Sequence, residues 1–172
     1  QILGGGSSSV APHYVVTPFE GIKNRAGKKI KVDTLPGCHI YKNLPAPAPE
    51  TLSTADGRLG LSLNLFNGTE CSGAPVYSEV TTRVQHGWFH YSVPNVNQSE
   101  FSMRMEGFFT PKESGVHELA LNGVGWCKLY LDNELIVDHS DDSDMGKQIV
   151  AEVELKGGKA YPIKVEYYWK GN

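Results

Sequence analysis

Carboxylates crowd one short stretch of this 172-residue chain. Asp138, Asp141, Asp142 and Asp144 fall together in a polar run, with His139 among them. Paired carboxyl groups can do general acid–base chemistry, and oxygen-rich loops can hold calcium. The spacing here lacks the ligand order of an EF-hand, and crowded carboxylates on a polar loop read first as a solvated turn. His86 and His90 stand four apart, the zinc-chelating interval on a helix. Gly87 and Pro94 oppose a helix, and on a strand four residues span about 13 Å, too far for one ion. No metal site and no cofactor are therefore expected. Trp88 and Trp126 could stack on sugar rings, although aromatics in a β protein more often belong to the core.

Three cysteines allow one disulfide at most. Cys127 alternates with Leu129 and Leu131 and reads as a buried thiol, which leaves Cys38 and Cys71 as the candidate pair. Asn67-Gly-Thr and Asn97-Gln-Ser fit the N-glycosylation acceptor pattern. Both sit in turn-rich stretches where a glycan would have to lie, and they give weak support for secretion.

The elements that position these residues follow from composition and period. With 16 Lys+Arg against 19 Asp+Glu the net charge is −3, which excludes a strongly basic nucleic-acid protein. No run approaches the ~18 apolar residues of a membrane helix. The start, Gln1-Ile2-Leu3-Gly4, lacks the basic and apolar regions of a signal peptide, so a removed signal or excision from a longer chain is expected. Thr17-Pro18-Phe19-Glu20 is a complete helix start: hydroxyl cap, proline at the first turn, and a glutamate that reaches back. Phe19, Ile22 and Ala26 recur at helical spacing until Gly27 ends the segment. Lys29-Ile30-Lys31-Val32 alternates as a short strand would, giving strand, glycine loop, helix, strand. Pro45 to Pro49 then marks a boundary.

Beyond it the period is two. Phe101, Met103, Met105 and Phe109 share a face, as do Cys127, Leu129 and Leu131, then Ile149, Ala151, Val153 and Leu155, and finally Tyr161, Ile163, Val165, Tyr167 and Trp169. A tight turn around Asp132-Asn133 leads to Leu135-Ile136-Val137, and with Leu59 to Phe66, Ser78 to Val84 and Val116 to Leu121 this makes about eight strands. Two facing antiparallel sheets bury one side of each. A mainly β sandwich over residues 51–172, preceded by a separate segment over 1–50, is the expected organisation.

Two resemblances sharpen this. The run GGGSSSVAPHYVVTPFEGIKNRAG, with Leu35-Pro36-Gly37-Cys38, resembles the α/β domain of glycoside hydrolase family 3 enzymes, especially fungal β-glucosidases. Gly60 to Asn67, Met105 to Pro111, Ser114 to His117 and above all Lys128 to Asp138 resemble the protective-antigen domain, a β-sandwich that some of those enzymes carry as an insertion after the glycine-rich segment. The order found here matches that arrangement. The resemblance implies a secreted, non-catalytic accessory domain that partners the rest of a parent glycosidase and meets glucosides or short oligosaccharides. The family's nucleophile and acid/base lie outside this stretch, so no catalytic residue is carried over. In these enzymes the loop after the strand ending in Leu-Ile-x-Asp reaches the active-site mouth, which makes Asp138, His139, Asp141, Asp142 and Asp144 candidates for sugar contact. Adhesins of the protective-antigen family hold calcium through adjacent aspartates ahead of a strand. That position here reads Asn122-Gly123-Val124-Gly125, which disfavours a calcium lectin. A free-standing carbohydrate-binding module and a structural or dimerising domain are the alternatives.

Overall fold

The computed structural model describes residues 13–35, 37–38, 42–86, 93–140 and 146–171. Trp88, Asp141, Asp142 and Asp144, together with the glycine-rich run, lie outside them. The chain divides into two units, Gln1–Ile40 and Tyr41–Asn172.

In the first unit the capping signals produce helix α1, Pro18–Ala26. The Glu20 amide donates to Thr17 Oγ1 at 3.0 Å, and the Thr17 amide donates back to Glu20 Oε2 at 2.8 Å, so two otherwise orphaned donors are satisfied reciprocally. The Thr17 amide first, and then the Thr17 hydroxyl, which donates to Glu20 Oε2 at 2.9 Å, hold the Glu20 carboxyl below its usual range. Gly27 ends the helix at φ +63°, and a 3-10 turn over Gly27–Lys29 follows. The expected strand at Lys29–Val32 does not form. Ile30 is extended, but alternation makes a strand only where a neighbour supplies a ladder, and none of the described residues does. No residue of α1 is buried.

The second unit is the expected sandwich. Strands β1 (Leu52–Ser53), β2 (Leu61–Asn67), β3 (Tyr77–Thr81), β4 (Glu100–Phe109), β5 (Gly115–Asn122), β6 (Trp126–Leu131), β7 (Glu134–His139), β8 (Gln148–Leu155) and β9 (Tyr161–Lys170) follow in order. A 7-stranded sheet runs β3-β2-β4-β9-β6-β7 with β1 added against β4, and β5-β8 form the second sheet. All pairings are antiparallel. Strand β1, only two residues long, is too short to leave a pattern in the sequence. It is seated against β4 at Gly107, where a Cβ would lie 2.4 Å from the Ser53 carbonyl.

Each alternating face read from the sequence turns inward. Leu61, Leu63 and Leu65 meet Met103, Met105, Phe109, Leu131 and Leu155 in one buried cluster. Burial of such side chains contributes roughly 1.5–3 kcal/mol each. Leu119 and Val153 of the smaller sheet pack on this cluster from one side, and Val84, Val93 and Val96 from the connection between β3 and β4. The turn between β6 and β7 has Asp132 and Asn133 at φ +51° and +68°, the two-residue hairpin geometry that suits the strand twist.

One end of the larger sheet gathers several connections. Leu44 donates its amide to Gln148 Oε1 at 2.7 Å, and Gly171 donates to Ser99 O at 2.8 Å. The turn between β5 and β6 and the connection between β7 and β8 lie at this same end.

Candidate functional site

The strands β6 and β7 deliver three expected residues to that end. Trp126 opens β6 on the outer face and stacks on Tyr168 of β9, with ring centroids 4.8 Å apart and planes 11° apart. The two are opposite one another across the ladder, the arrangement in which cross-strand aromatics stabilise a sheet. Two residues on, Lys128 faces the same way and pairs with Asp138 at 3.3 Å. The Asp138 carboxylate also accepts the Ser140 hydroxyl, and its hydrogen bond keeps the Lys128 ammonium above its ordinary pKa.

His139 faces the other way. Because Asp138 points out, the next residue points into the core, and His139 is 1% exposed. The expected pairing of His139 with sugar hydroxyls is therefore corrected: no ligand reaches a ring buried so fully. Its Nε2 lies 3.2 Å from the Lys147 carbonyl. A carbonyl only accepts, so Nε2–H donates, while Nδ1 is buried without a partner. The ring thus ties the two ends of the β7–β8 connection together. Gly146 donates to Gly123 O at 3.0 Å and joins that connection to the β5–β6 turn. Gly125 in that turn adopts φ +107°, and a Cβ there would lie 3.0 Å from the Tyr168 carbonyl, so glycine alone fits. Tyr167 donates its hydroxyl to Val124 O at 2.9 Å.

Beneath this end, burial pushes the Cys127 thiol to about 11 and the Tyr167 phenol to about 12. Both stay protonated at neutral pH, so neither serves there as nucleophile or base. The described groups of this end supply an aromatic face, a paired charge and a hydroxyl. Such groups hold or exclude a hydroxylated ligand. Sequence reasoning missed Tyr168, Lys128 and Lys147; the alternation that faced Trp126 outward was the signal for the first two.

The remaining candidates separate on geometry. Asn67 has its side-chain amide engaged at both atoms: Nδ2 donates to Asn95 O at 3.1 Å and Oδ1 accepts from the Asn97 amide at 2.7 Å. Asn97 is exposed, and its Oδ1 accepts from the Ser99 amide at 3.2 Å, which folds its own acceptor triplet into an Asx turn. Cys38, Cys71 and Cys127 are free thiols, with Cys38 in the first unit and Cys71 in the second. Cys71 donates its thiol to Met103 O at 3.3 Å, and its own carbonyl accepts from Arg104 Nη2 at 2.7 Å. Burial pushes its thiol pKa up.

Comparisons with known proteins agree with this architecture. Residues 57–171 match the PA14 domain. A probable beta-glucosidase I from Neosartorya fischeri is 31% identical over 95% of this chain, which spans 20% of that protein. The chain thus covers about a fifth of the length of the curated relatives it matches. A crystal structure of a beta-glucosidase from Kluyveromyces marxianus in complex with glucose superposes on 97% of this chain and 21% of its own, at a TM-score of 0.67 and 28% identity. Epithelial adhesin 9 of Candida glabrata, solved with a galactose-containing disaccharide, shares the fold over 72% of this chain at a TM-score of 0.50 and 15% identity. The match over residues 57–171, together with the observed pair of antiparallel sheets, places this chain in the PA14 domain family.

Proposed function

We propose that this chain is a non-catalytic accessory domain of a secreted, fungal-type family 3 β-glucosidase, and that the connection from Asp138 to Lys147 narrows the parent's active-site entrance so that short glucosides are preferred over long chains. The observation that carries this reading is spatial: Leu44, Gly171 and the β7–β8 connection all lie at one end of the sandwich. The relatives at about 30% identity, five times as long, carry the name probable beta-glucosidase I. The exposed Tyr14, Ile22 and Leu35 of the first unit supply apolar surface that the remainder of an α/β domain would cover. On this reading Trp126, with Tyr168 behind it, and Asp138 line the entrance, and Asp141, Asp142 and Asp144 extend its polar rim. Asn97 carries the glycan, while the Asn67 amide serves as a clasp between connections.

The test is excision of residues 45–171 from the full-length protein, with a short linker in their place. The ratio of kcat/KM for a glucotetraose to that for a disaccharide should rise at least several-fold. An unchanged ratio defeats the entrance role. Peptide mapping after glycosidase treatment of secreted protein should find modification at Asn97 and an unmodified Asn67.

A further inference from the structure

Three dipeptides of the chain join an amide or carboxyl side chain to a following glycine: Asp56-Gly57, Asn67-Gly68 and Asn122-Gly123. In such a pair the glycine nitrogen can attack the side-chain carbonyl carbon and close a five-membered imide, because no Cβ on the second residue shields that nitrogen. The reaction needs a side chain free to swing and an amide free to lose its proton. The fold decides which pair has both.

Two of the pairs are locked. Asn67 has Nδ2 and Oδ1 engaged by Asn95 O and the Asn97 amide, and the Gly68 amide donates to Glu100 O at 3.2 Å. Asp56 accepts from the Thr54 hydroxyl and from Arg58 Nε, and the Gly57 amide donates to Thr54 O at 3.0 Å. Asn122-Gly123 differs at each point. Asn122 is exposed at the end of β5, opposite Gln148 in the last pair of its ladder, and Gln148 turns its side chain to Leu44. Among the described residues, neither the Asn122 side chain nor the Gly123 amide has a hydrogen-bond partner. A Cβ at Gly123 would lie 3.0 Å from Cys127 Sγ, so the packing favours the one residue that leaves its nitrogen open to attack.

We propose that Asn122-Gly123 is a site of spontaneous deamidation, and that the isoaspartate it leaves unfastens the β5–β6 turn from the β7–β8 connection. Hydroxide removes the Gly123 amide proton, the nitrogen attacks Asn122 Cγ, and the Cγ–Nδ2 bond breaks with loss of ammonia, which takes its added proton from water. Water then opens the imide. Opening at Cγ leaves aspartate, and opening at the main-chain carbonyl leaves isoaspartate; nothing is oxidised or reduced. Isoaspartate routes the backbone through Cβ and Cγ, which lengthens it by one atom and displaces the Gly123 carbonyl that accepts from Gly146. This goes beyond the entrance role and stands without it, because the product is read by mass and not by hydrolysis of a glucoside.

Incubation of the unglycosylated full-length protein at mildly alkaline pH, followed by peptide mapping, tests this. Conversion at Asn122 is expected at least ten-fold faster than at Asn67, with an isoaspartyl product that a protein isoaspartyl methyltransferase labels. In urea the two rates should converge, since the fold no longer tells the dipeptides apart. Asn122→Gln, which would have to close a larger ring, should abolish the product with melting temperature preserved. Aged protein should be cleaved several-fold faster between Ser140 and Lys147 than the Asn122→Gln variant aged beside it. Equal rates at Asn67 and Asn122 in the folded protein, no isoaspartate at residue 122, or a rate ratio that survives in urea would overturn the site. Conversion with unchanged cleavage would overturn the unfastening.

Discussion

Helix α1 carries every local signal a helix can have and buries no residue, whereas strand β2 has no terminal signal of its own and contains Leu65, fully buried. Ile22 in the helix is 59% exposed. The capping box satisfies backbone donors but removes little apolar surface from water, and a helix of this length is marginal in isolation. In β2 the reverse holds: three leucines on one face are useless until β4 and the opposing sheet arrive, and then they supply most of the driving force. Local completeness and tertiary burial are thus separable, and this chain separates them into its two units.

The largest expected effect breaks the sandwich alone. Leu65→Ala should cost about 2–5 kcal/mol through lost burial and a residual cavity, read as a lower midpoint in urea unfolding followed by tryptophan fluorescence. His139→Ala should cost less, about 1–3 kcal/mol, and should accelerate proteolysis between Ser140 and Lys147 because the clasp to the Lys147 carbonyl is gone. Unchanged cleavage there would remove His139 from the role assigned to it.

Alkaline pH sharpens the contrast further. The folded chain holds the Cys127 and Tyr167 protons more tightly than the unfolded chain does, with pKa values raised to about 11 from 9.0 and to about 12 from 10.0. Their contribution to stability is complete below about pH 9 and is lost as pH climbs through the window up to about 12. Melting temperature should fall across that window, and Cys127→Ala should flatten its lower half. The smallest effect belongs to the helix: Thr17→Ala should cost α1 about 1 kcal/mol, seen as lost helical dichroism, while the sandwich transition stays where it was. A shifted sandwich midpoint would show that the two units are coupled.

The period-two faces were legible in the sequence because each long strand has one buried side, and α1 was legible because its signals are local. The turn at Asp132-Asn133 was legible for the same reason. Other features depend on partners that sequence cannot show. The alternation of Lys29 to Val32 looks like that of a strand but finds no ladder, and β1 is defined only by its contact with β4. His139 was misread although the phase was available, since an outward Asp138 dictates an inward neighbour. The contact of the Cys71 thiol with the Met103 carbonyl depends on a strand distant in sequence. Asn67-Gly68 and Asn122-Gly123 were indistinguishable as dipeptides, because only the partners around each side chain tell them apart.

The entrance claim can be isolated by an exchange that spares the fold. Replacing residues 141–145 with a glycine-serine run in the full-length protein retains the Gly146–Gly123 and His139–Lys147 contacts, so the sandwich should melt as before. The ratio of kcat/KM for cellotetraose to that for cellobiose is the measurement. A several-fold rise at unchanged melting temperature is the predicted result, and a ratio equal to that of the parent would contradict the account.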